Sequence, residues 1–335
     1  MIWLPLISSI VLGATGAWFM SCYAYRFGLL DIPNARSSHA LPTPRSGGIG
    51  ILAALIVSSL MLHLHIMIWL PATLLALVSL FDDKLGLTPK IRLLFQFIAA
   101  FIVVGYIFLE PNIAAIQYPK STIQIFTLCL VCSVFIVGTA NFYNFMDGIN
   151  GIAAITGVVG FGLLAIYASM QHGSHGIALF VICIAAACIG FLPFNFPVAR
   201  VFMGDVGSIL LGFAFASLCV MLALTATDFL ILCSFLSTFY ADAFSTLYIR
   251  KRDGEKLAQA HRRHLYQLLA NQMKVPHWQV ALGYGLVQVV VGSILLALRP
   301  LGTAIVVTAM LIMICIWCLV SGKLRKVELS GNFEF

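Results

Sequence analysis

Four aspartates could carry chemistry in this sequence, because each lies at the end of an apolar segment long enough to cross a membrane. Asp82 and Asp83 are adjacent, Asp147 lies in the stretch NFYNFMDGING, and Asp205 lies in the stretch FMGDVGS. Carboxylates at membrane depth are costly unless a cation or a basic group stabilises them, so acids in such places are usually functional. The four side chains therefore predict one site that holds a hard divalent cation, with Mg²⁺ favoured where phosphate supplies further oxygen ligands.

Each of these acids also has a simpler structural explanation. The adjacent pair could form ion pairs with Lys84 or Lys90, which follow it in the sequence. Asp205 could be the N-cap of a helix that begins there, where free backbone N–H groups favour a carboxylate. Asn144 and Asp147 are three positions apart, so they share one face at the end of a helix. The common placement of all four acids favours a shared site.

Basic residues near the acids could bind anions. Arg45 lies in the stretch PTPRSGG at the entry to an apolar segment, and Lys90 and Arg92 open the segment after the acidic pair. Arg45 could equally be a charged anchor on the cytoplasmic side of a membrane. A later loop contains two histidines and two arginines in succession, which could neutralise a pyrophosphate. Its residues are His261, Arg262, Arg263 and His264.

The composition predicts an all-α integral membrane protein. Of 335 residues, 61% are hydrophobic and 9% are charged, which leaves too little polar surface for a soluble globule. A spanning helix needs roughly 20 apolar residues. This rule predicts about eleven transmembrane helices near residues 2–23, 46–64, 66–81, 90–109, 122–142, 150–170, 175–194, 206–224, 228–249, 277–298 and 301–321. We expect a single polytopic domain over residues 1–335, with its site formed by loops near 24–48, 82–90, 142–150, 195–205 and 250–276.

The distribution of positive charge predicts the orientation. If the spans alternate in direction, all but two of the 19 Lys and Arg residues fall on one side, the exceptions being Lys120 and Arg299. The positive-inside rule makes that side cytoplasmic, which places the N-terminus outside, the C-terminus in the cytoplasm and the acids on the cytoplasmic face. The net charge of +7 then reflects topology and contact with anionic membrane lipid, and no nucleic-acid partner is expected.

Asp242 lies inside a predicted span, about two turns from its cytoplasmic end. Such a residue has either an inward-facing role or an arginine partner on a neighbouring helix. Polar residues within spans also suggest a secondary transporter of a phosphorylated solute. Transporters, however, place polar residues near the midplane and have repeated halves. In this sequence the acids gather at one boundary and no repeat is detectable, which favours an enzyme.

Six motifs together resemble one family. The stretches PTPRSGG, FDDKLG, LTPKIRLLFQ, NFYNFMDGING, FNFPVARVFMGDVGS and HRRH occur in the order found in polyprenyl-phosphate N-acetylhexosamine-1-phosphate transferases. The resemblance extends through nearly the whole chain. It implies Mg²⁺-dependent transfer of a sugar 1-phosphate from a UDP-N-acetyl sugar to undecaprenyl phosphate, with release of UMP. Mn²⁺ is the alternative ion, and a homodimer is left open.

The resemblance also implies a location and a branch of the family. The location is the bacterial inner membrane, with a multi-pass chain whose N-terminus is periplasmic. The HRRH loop and the stretch FNFPVARVFMGD are more similar to the transferases that initiate O-antigen synthesis, with UDP-GlcNAc, UDP-FucNAc or UDP-QuiNAc as the donor. A phospho-N-acetylmuramoyl-pentapeptide transferase of peptidoglycan synthesis is the alternative.

Residue roles follow from the resemblance by position. The catalytic group comprises Asp82, Asp83 and His264; one of the two aspartates is a base or a nucleophile, and we expect Asp82 to be the base. Phe202 matches an aromatic residue that stacks on uracil. The metal is assigned to Asp205, Asn144 and Asp147. Substrate binding is assigned to Arg45, Lys90, Arg92, Asn144, Asp147, Asn150, Phe202, His261, Arg262 and Arg263.

Three positions depart from the family pattern. Gly86 and Asn150 stand where many relatives have aspartate, and Arg263 stands where several have histidine. Asn150 can hydrogen-bond a uracil edge but supplies no charge. Arg263 can bind a pyrophosphate but cannot transfer a proton, which weakens a general-acid role for that position.

Overall fold

Long apolar helices make up almost all of the structure. The computed structural model describes residues 2–33, 38, 41–109, 122–171, 173–256 and 262–330. The helices are α1 (Trp3–Tyr23), α2 (Ile49–Met61), α3 (Ile66–Leu85), α4 (Pro89–Leu109), α5 (Thr122–Phe145), α6 (Ile152–Ser169), α7 (His175–Asn195), α8 (Asp205–Leu222), α9 (Ala226–Ser234), α10 (Ser237–Arg252), α11 (Leu265–Gln267), α12 (His277–Leu298) and α13 (Thr303–Ser330). A π-helical turn, Leu268–Gln272, follows α11.

The described helices confirm an all-α integral membrane protein. Nine of them are long and apolar enough to cross a membrane, and the bent pair of α9 and α10 adds a tenth span. The remaining predicted segment, 46–64, forms only the 13-residue helix α2. This helix begins late because Ser46 adopts a φ of +67° and the N–H groups of Gly47 and Gly48 donate to the carbonyls of Phe202 and Met203.

The predicted span 228–249 is not one straight helix, because the chain bends by 86° between α9 and α10. A break inside a membrane leaves backbone groups that need partners from neighbouring helices. Gln288 of α12 is fully buried and donates from Nε2 to the carbonyls of Phe235 and Thr156, while the Thr238 hydroxyl lies 3.4 Å from its Oε1. The break is therefore satisfied by a side chain distant in sequence, which a hydropathy pattern cannot reveal.

Small residues bring α2 against its neighbours. A Cβ added at Gly16 of α1 would lie 2.3 Å from the Cα of Gly50. One added at Gly48, just before α2, would lie 2.4 Å from the Cα of Gly207 in α8. Backbones approach this closely only where side chains are absent. The loop that precedes α2 is consequently pressed against the beginning of α8.

Two loops distant in sequence form a continuous set of backbone hydrogen bonds. The short strands β1 (Leu30–Asp31) and β2 (Thr43–Pro44) pair antiparallel. The N–H of Phe202 then donates to the carbonyl of Pro44 at 2.8 Å, and the N–H of Gly47 donates to the carbonyl of Phe202 at 2.9 Å. This connection fixes the stretch PTPRSGG beside the stretch FMGD.

Candidate active site

Asp82 and Asp83 lie in the last turn of α3, and both are buried. Asp82 Oδ1 accepts the N–H of Leu87 at 2.6 Å, and its Oδ2 lies 3.1 Å from Nη1 of Arg92. Gly86 ends α3 with a φ of +64°, which favours glycine and turns the chain so that Leu87 reaches back. Gly86 stands where many relatives have aspartate, and this turn gives a local structural reason for the glycine.

Asp83 points toward a different set of groups. The Ser46 hydroxyl donates to Oδ2 at 2.6 Å, and the N–H of Asp205 donates to Oδ1 at 3.2 Å. Nη1 of Arg45 lies 3.9 Å from Oδ1. The two neighbouring carboxylates therefore do different jobs in the structure. Asp83 joins the loop before α2 to the start of α8, whereas Asp82 joins α3 to α4.

Asp205 is the first residue of α8, but it does not cap that helix. Gly204 holds the N-cap position, with a φ of +73°. Asp205 Oδ1 instead accepts from Nδ2 of Asn144 at 2.8 Å, and Oδ2 lies 3.3 Å from Nη1 of Arg92. The N-cap explanation for Asp205 is therefore wrong. Arg92 bridges the carboxylates of Asp82 and Asp205.

The lysine explanation for the acidic pair receives no support from the described contacts. Lys84 and Lys90 are both exposed. Within the described residues, the ion pairs of Asp82 and Asp83 run to Arg92 and Arg45 instead. The structure therefore brings Arg45 and Arg92 to the acids, whereas Lys90 lies at the exposed start of α4.

Asn144 and Asp147 extend this group from the end of α5. Asn144 Nδ2 also donates to the Ser208 hydroxyl at 2.9 Å, and the N–H of Asp147 donates to the Asn144 carbonyl at 3.2 Å. Burial raises the pKa of Asp147 well above its ordinary value, and the nearby carboxylates of Asp205 and Asp83 raise it further. Asn144, three residues before Asp147, contacts Asp205 directly, so the end of α5 lies beside the start of α8. We call Asp82, Asp83, Asp147 and Asp205 the acidic cluster.

The donor atoms of the acidic cluster fit a hard cation. No group of three or more His, Cys, Asp or Glu side chains in the described ranges is close enough to hold an ion by itself. Mg²⁺ in proteins is commonly bound by one or two carboxylates together with substrate phosphate oxygens, so a complete protein cage is not required. Asp205 and Asp147, with the amide oxygen of Asn144, supply oxygen donors of the right chemical type.

The basic loop after α10 forms a second group. His264 is buried, its Nδ1 lies 3.7 Å from Oδ1 of Asp242, and its ring stacks on Tyr266 with centroids 5.7 Å apart. Arg263 forms ion pairs with Asp253 and Glu255. Arg262 is half-buried, and His261 lies outside the described residues. Part of the positive charge predicted for this loop is therefore neutralised locally.

Tyr266 connects the two groups. Its side chain is fully buried, and its hydroxyl donates to the carbonyl of Phe145 at 2.9 Å. Phe145 ends α5, two residues before Asp147. His264 lies beside Asp242 of α10, and Tyr266 is the residue of this loop that reaches the end of α5.

Phe202 lies three residues before Asp205 in the sequence, and Asn150 lies three residues after Asp147. Phe202 is half-buried, and its backbone is fixed by the loop before α2. Asn150 donates from Nδ2 to the carbonyl of Pro197 at 3.2 Å, and its N–H lies 3.4 Å from Nδ1 of His277. The first contact holds Asn150 against the loop between α7 and α8, and the second holds it near the start of α12.

The sequence did not predict several residues that hold the site in place. Ser46 and Ser208 stand inside recognised motifs, but single hydroxyls in glycine-rich stretches give no signal of their own. Asn195 accepts the N–H of Gly151 at 2.7 Å and donates to the carbonyl of Val201 at 2.9 Å. Buried Gln96 accepts from Asn141 at 2.6 Å. A polar amide within an apolar segment was the available signal for Gln96.

Comparisons with known proteins agree with the motifs. Residues 65–223 match the model of glycosyl transferase family 4. The chain is 28% identical over 223 residues to the decaprenyl-phosphate N-acetylglucosaminephosphotransferase of Mycolicibacterium smegmatis, covering 59% of this chain and 54% of the relative. It is 30% identical over 203 residues to the phospho-N-acetylmuramoyl-pentapeptide-transferase of Oceanobacillus iheyensis, covering 54% and 62%.

A third relative is the "Probable undecaprenyl-phosphate N-acetylglucosaminyl 1-phosphate transferase" of Bacillus subtilis, 29% identical over 201 residues, with 58% of this chain and 56% of the relative covered. The chain thus spans a little over half the length of the curated relatives it matches. All of the acidic cluster lies within the residues matched by the family model. Over these residues the chain is similar to glycosyl transferase family 4.

Proposed function

We propose that the protein transfers an N-acetylhexosamine 1-phosphate from a UDP-sugar to undecaprenyl phosphate and releases UMP. The observation that carries this proposal is the acidic cluster, in which Arg92 pairs with Asp82 and Asp205 and Arg45 lies 3.9 Å from Asp83. Relatives named as phosphotransferases of decaprenyl phosphate and undecaprenyl phosphate support the same acceptor class.

The reaction joins two anions, so charge neutralisation and positioning supply most of the catalysis. An oxygen of the lipid phosphate attacks the β-phosphorus of the UDP-sugar. The bond from that phosphorus to the bridging oxygen breaks, and UMP leaves with the electron pair. The products are UMP and a polyprenyl diphosphate that carries the sugar.

The residues of the cluster divide these tasks. Arg92 and Arg45 offset negative charge on the incoming phosphates, since guanidinium groups match phosphate geometry. Asp82 removes a proton from the lipid phosphate when that phosphate carries one. Phe202 would stack on the uracil, and Asn150 would hydrogen-bond its edge. Mg²⁺, or Mn²⁺ in its place, would be held by Asp205, Asp147 and Asn144 and would supply charge stabilisation to the phosphates.

The location of the site suits one lipid substrate and one soluble substrate. The acids lie at the ends of spanning helices, so a lipid phosphate reaches them from the membrane and a UDP-sugar from the cytoplasm. We place the site on the cytoplasmic face of a bacterial inner membrane, following the positive-inside rule. The HRRH loop favours a role in initiating O-antigen or a related envelope polysaccharide, with GlcNAc, FucNAc or QuiNAc as the sugar.

A direct test uses purified protein, undecaprenyl phosphate and a panel of radiolabelled donors: UDP-GlcNAc, UDP-FucNAc, UDP-QuiNAc and UDP-MurNAc-pentapeptide. We expect label in the lipid fraction and equimolar UMP with one of the first three donors. Transfer from UDP-MurNAc-pentapeptide alone would instead identify the peptidoglycan-type reaction, which the Oceanobacillus relative favours. Uptake of a phosphorylated solute into vesicles, without lipid product, would identify a transporter.

A further inference from the structure

Asp242 is a buried carboxylate that the proposed reaction does not use. Its exposed fraction is 0%, and it lies on α10, the second half of the broken span. The backbone N–H groups of Leu265 and Tyr266 donate to its two oxygens at 2.7 and 3.2 Å. These residues directly follow His264. The carboxylate therefore holds the backbone of the basic loop itself.

Arg325 of α13 holds the same stretch from the other side of His264. Its Nη1 donates to the carbonyl of Arg263 at 2.6 Å, and its Nη2 lies 3.4 Å from Oδ1 of Asp242. A buried carboxylate requires a cationic partner and further donors to offset its lost hydration. Arg325 and the hydroxyl of Tyr284, which donates to Asp242 at 2.8 Å, fill that need.

The held stretch is connected to the acidic cluster. The backbone N–H of Tyr266 donates to the carboxylate of Asp242, which fixes this residue. The Tyr266 hydroxyl donates to the carbonyl of Phe145, the last residue of α5. The turn after α5 packs so tightly on this ring that a Cβ at Gly148 would lie 2.2 Å from the Tyr266 oxygen. Gly148 is adjacent to Asp147. Displacement of Tyr266 would therefore shift the turn that holds Asp147, which is assigned to the metal and the donor and not to the lipid phosphate.

We infer that Asp242 and Arg325 are positioning residues, which set the basic loop at a fixed distance from the acidic cluster so that Arg262 and His264 meet the donor pyrophosphate. The inference rests on the proposed function. Neither residue touches substrate. Both hold the backbone of residues 263–266, and Asp242 Oδ1 also lies 3.7 Å from Nδ1 of His264. Because the proposed function gives the lipid phosphate to Asp82 and not to the basic loop, loss of either positioning residue should affect use of the donor more than use of the acceptor.

The test compares Asp242→Asn, Arg325→Met, Arg325→Lys and the double variant Asp242→Asn/Arg325→Met in purified protein. We expect Asp242→Asn and Arg325→Met each to lower kcat/KM for the UDP-sugar by about 10²-fold, as small misplacements of binding groups do. The KM for undecaprenyl phosphate should stay near the wild-type value. Arg325→Lys, which keeps the charge, should recover part of the loss. The double variant should be no worse than the poorer single variant, because the two residues act as one unit.

The chain offers a matched control at the opposite end of the broken span. Asp228 is also buried, and its Oδ1 lies 2.7 Å from Nε of Arg299. Asp228→Asn and Arg299→Met break a comparable buried ion pair beside α9, far along the span from the basic loop. They should lower the unfolding temperature without the selective loss of donor use.

Several outcomes would overturn the inference. One is wild-type kinetics for Arg325→Met. This result would overturn the inference even if Asp242→Asn does not fold. Another is an equal loss of donor use in the Asp228 and Arg299 control variants. A third is an equal loss toward donor and acceptor. A wild-type protein that releases no UMP from any donor removes the proposed function together with this inference, whereas an active wild type with unchanged Asp242 and Arg325 variants removes the inference alone.

Discussion

The hydroxyl of Ser46 lies 2.6 Å from Oδ2 of Asp83, although 37 positions separate the two residues. Ser46 is fully buried and holds a φ of +67°, a conformation that costs a non-glycine residue free energy. Glycine would fit the backbone at position 46 better than serine does. The hydrogen bond to the carboxylate gives the side chain its use.

Removing that hydroxyl should slow the reaction. A hydrogen bond to a charged group contributes about 1.5–3 kcal/mol, so Ser46→Ala should lower kcat/KM by about 10-fold or more. Ser46→Gly removes the same hydroxyl and relieves the backbone, so it should be similarly slow but more stable than Ser46→Ala. Steady-state kinetics and thermal unfolding measure both effects. Wild-type activity in Ser46→Gly would show that the hydroxyl does not orient Asp83.

Gly204 should tolerate no side chain. A Cβ at this position would lie 2.7 Å from Oδ2 of Asp83 and 2.7 Å from the backbone N of Ser46, and its φ is +73°. Gly204→Ala should therefore displace the acidic cluster and reduce activity by about 10²-fold. Gly138→Ala on α5 is the control, because open space surrounds that position, and it should behave as wild type. Equal activity in the two variants would contradict the geometry.

Asp82 and Asp83 should differ when replaced singly. If Asp82 is the base, Asp82→Asn should depress kcat by about 10²-fold or more, the size of general-base effects. Asp83, which binds the Ser46 hydroxyl and the N–H of Asp205, should act mainly on the KM values for Mg²⁺ and substrate. The measurement is kcat and KM for both variants across a Mg²⁺ titration. Full rescue of Asp82→Asn by excess Mg²⁺ would make it a ligand.

Asp205→Asn should abolish transfer without loss of membrane insertion. The replacement removes the charge that Arg92 and the proposed cation share, whereas apolar helices hold the fold. Lipid product formation and the amount of protein in the membrane fraction are the two readouts, with Asp228→Asn as a control for loss of a buried acid. An active Asp205→Asn protein, or full activity in EDTA, would remove the metal assignment.

The orientation can be tested by labelling. Lys84 and Lys323 are exposed near the predicted cytoplasmic ends of α3 and α13, and Leu301 is exposed in the connection between α12 and α13. Cysteines at the two lysine positions should react with a membrane-impermeant thiol reagent only from the cytoplasm, and one at Leu301 only from outside. Labelling of the Lys84 position from outside would reverse the orientation.

Much of this architecture was accessible from the sequence because a membrane imposes length and polarity on each helix. The positions of ten long spans and the convergence of Asp82, Asp83, Asp147 and Asp205 followed from apolar length and from acids at its ends. Arginine partners were less accessible, because a side chain as long as that of Arg92 can reach carboxylates on two other helices.

The bend between α9 and α10 could not be predicted for a different reason. Hydropathy is the same for a straight span and a bent one, and the group that satisfies the break, Gln288, lies on another helix. Asp242 was assigned either an inward role or an arginine partner, and Arg325 is that partner. Its hold on the backbone at Leu265 and Tyr266 depends on tertiary structure alone.

The hydrogen bond between the N–H of Asp205 and the carboxylate of Asp83 spans 122 positions, so its two partners are synthesised at different times. A ribosome feeds the chain into the membrane from its N-terminus, so α3 and α5 arrive before α8 exists. During that interval Asp83 and Asp147 reside near the bilayer surface without the helix that completes their surroundings. Maturation of the site is thus a late event in biogenesis, timed by the emergence of the stretch FMGDVGS from the translocation machinery.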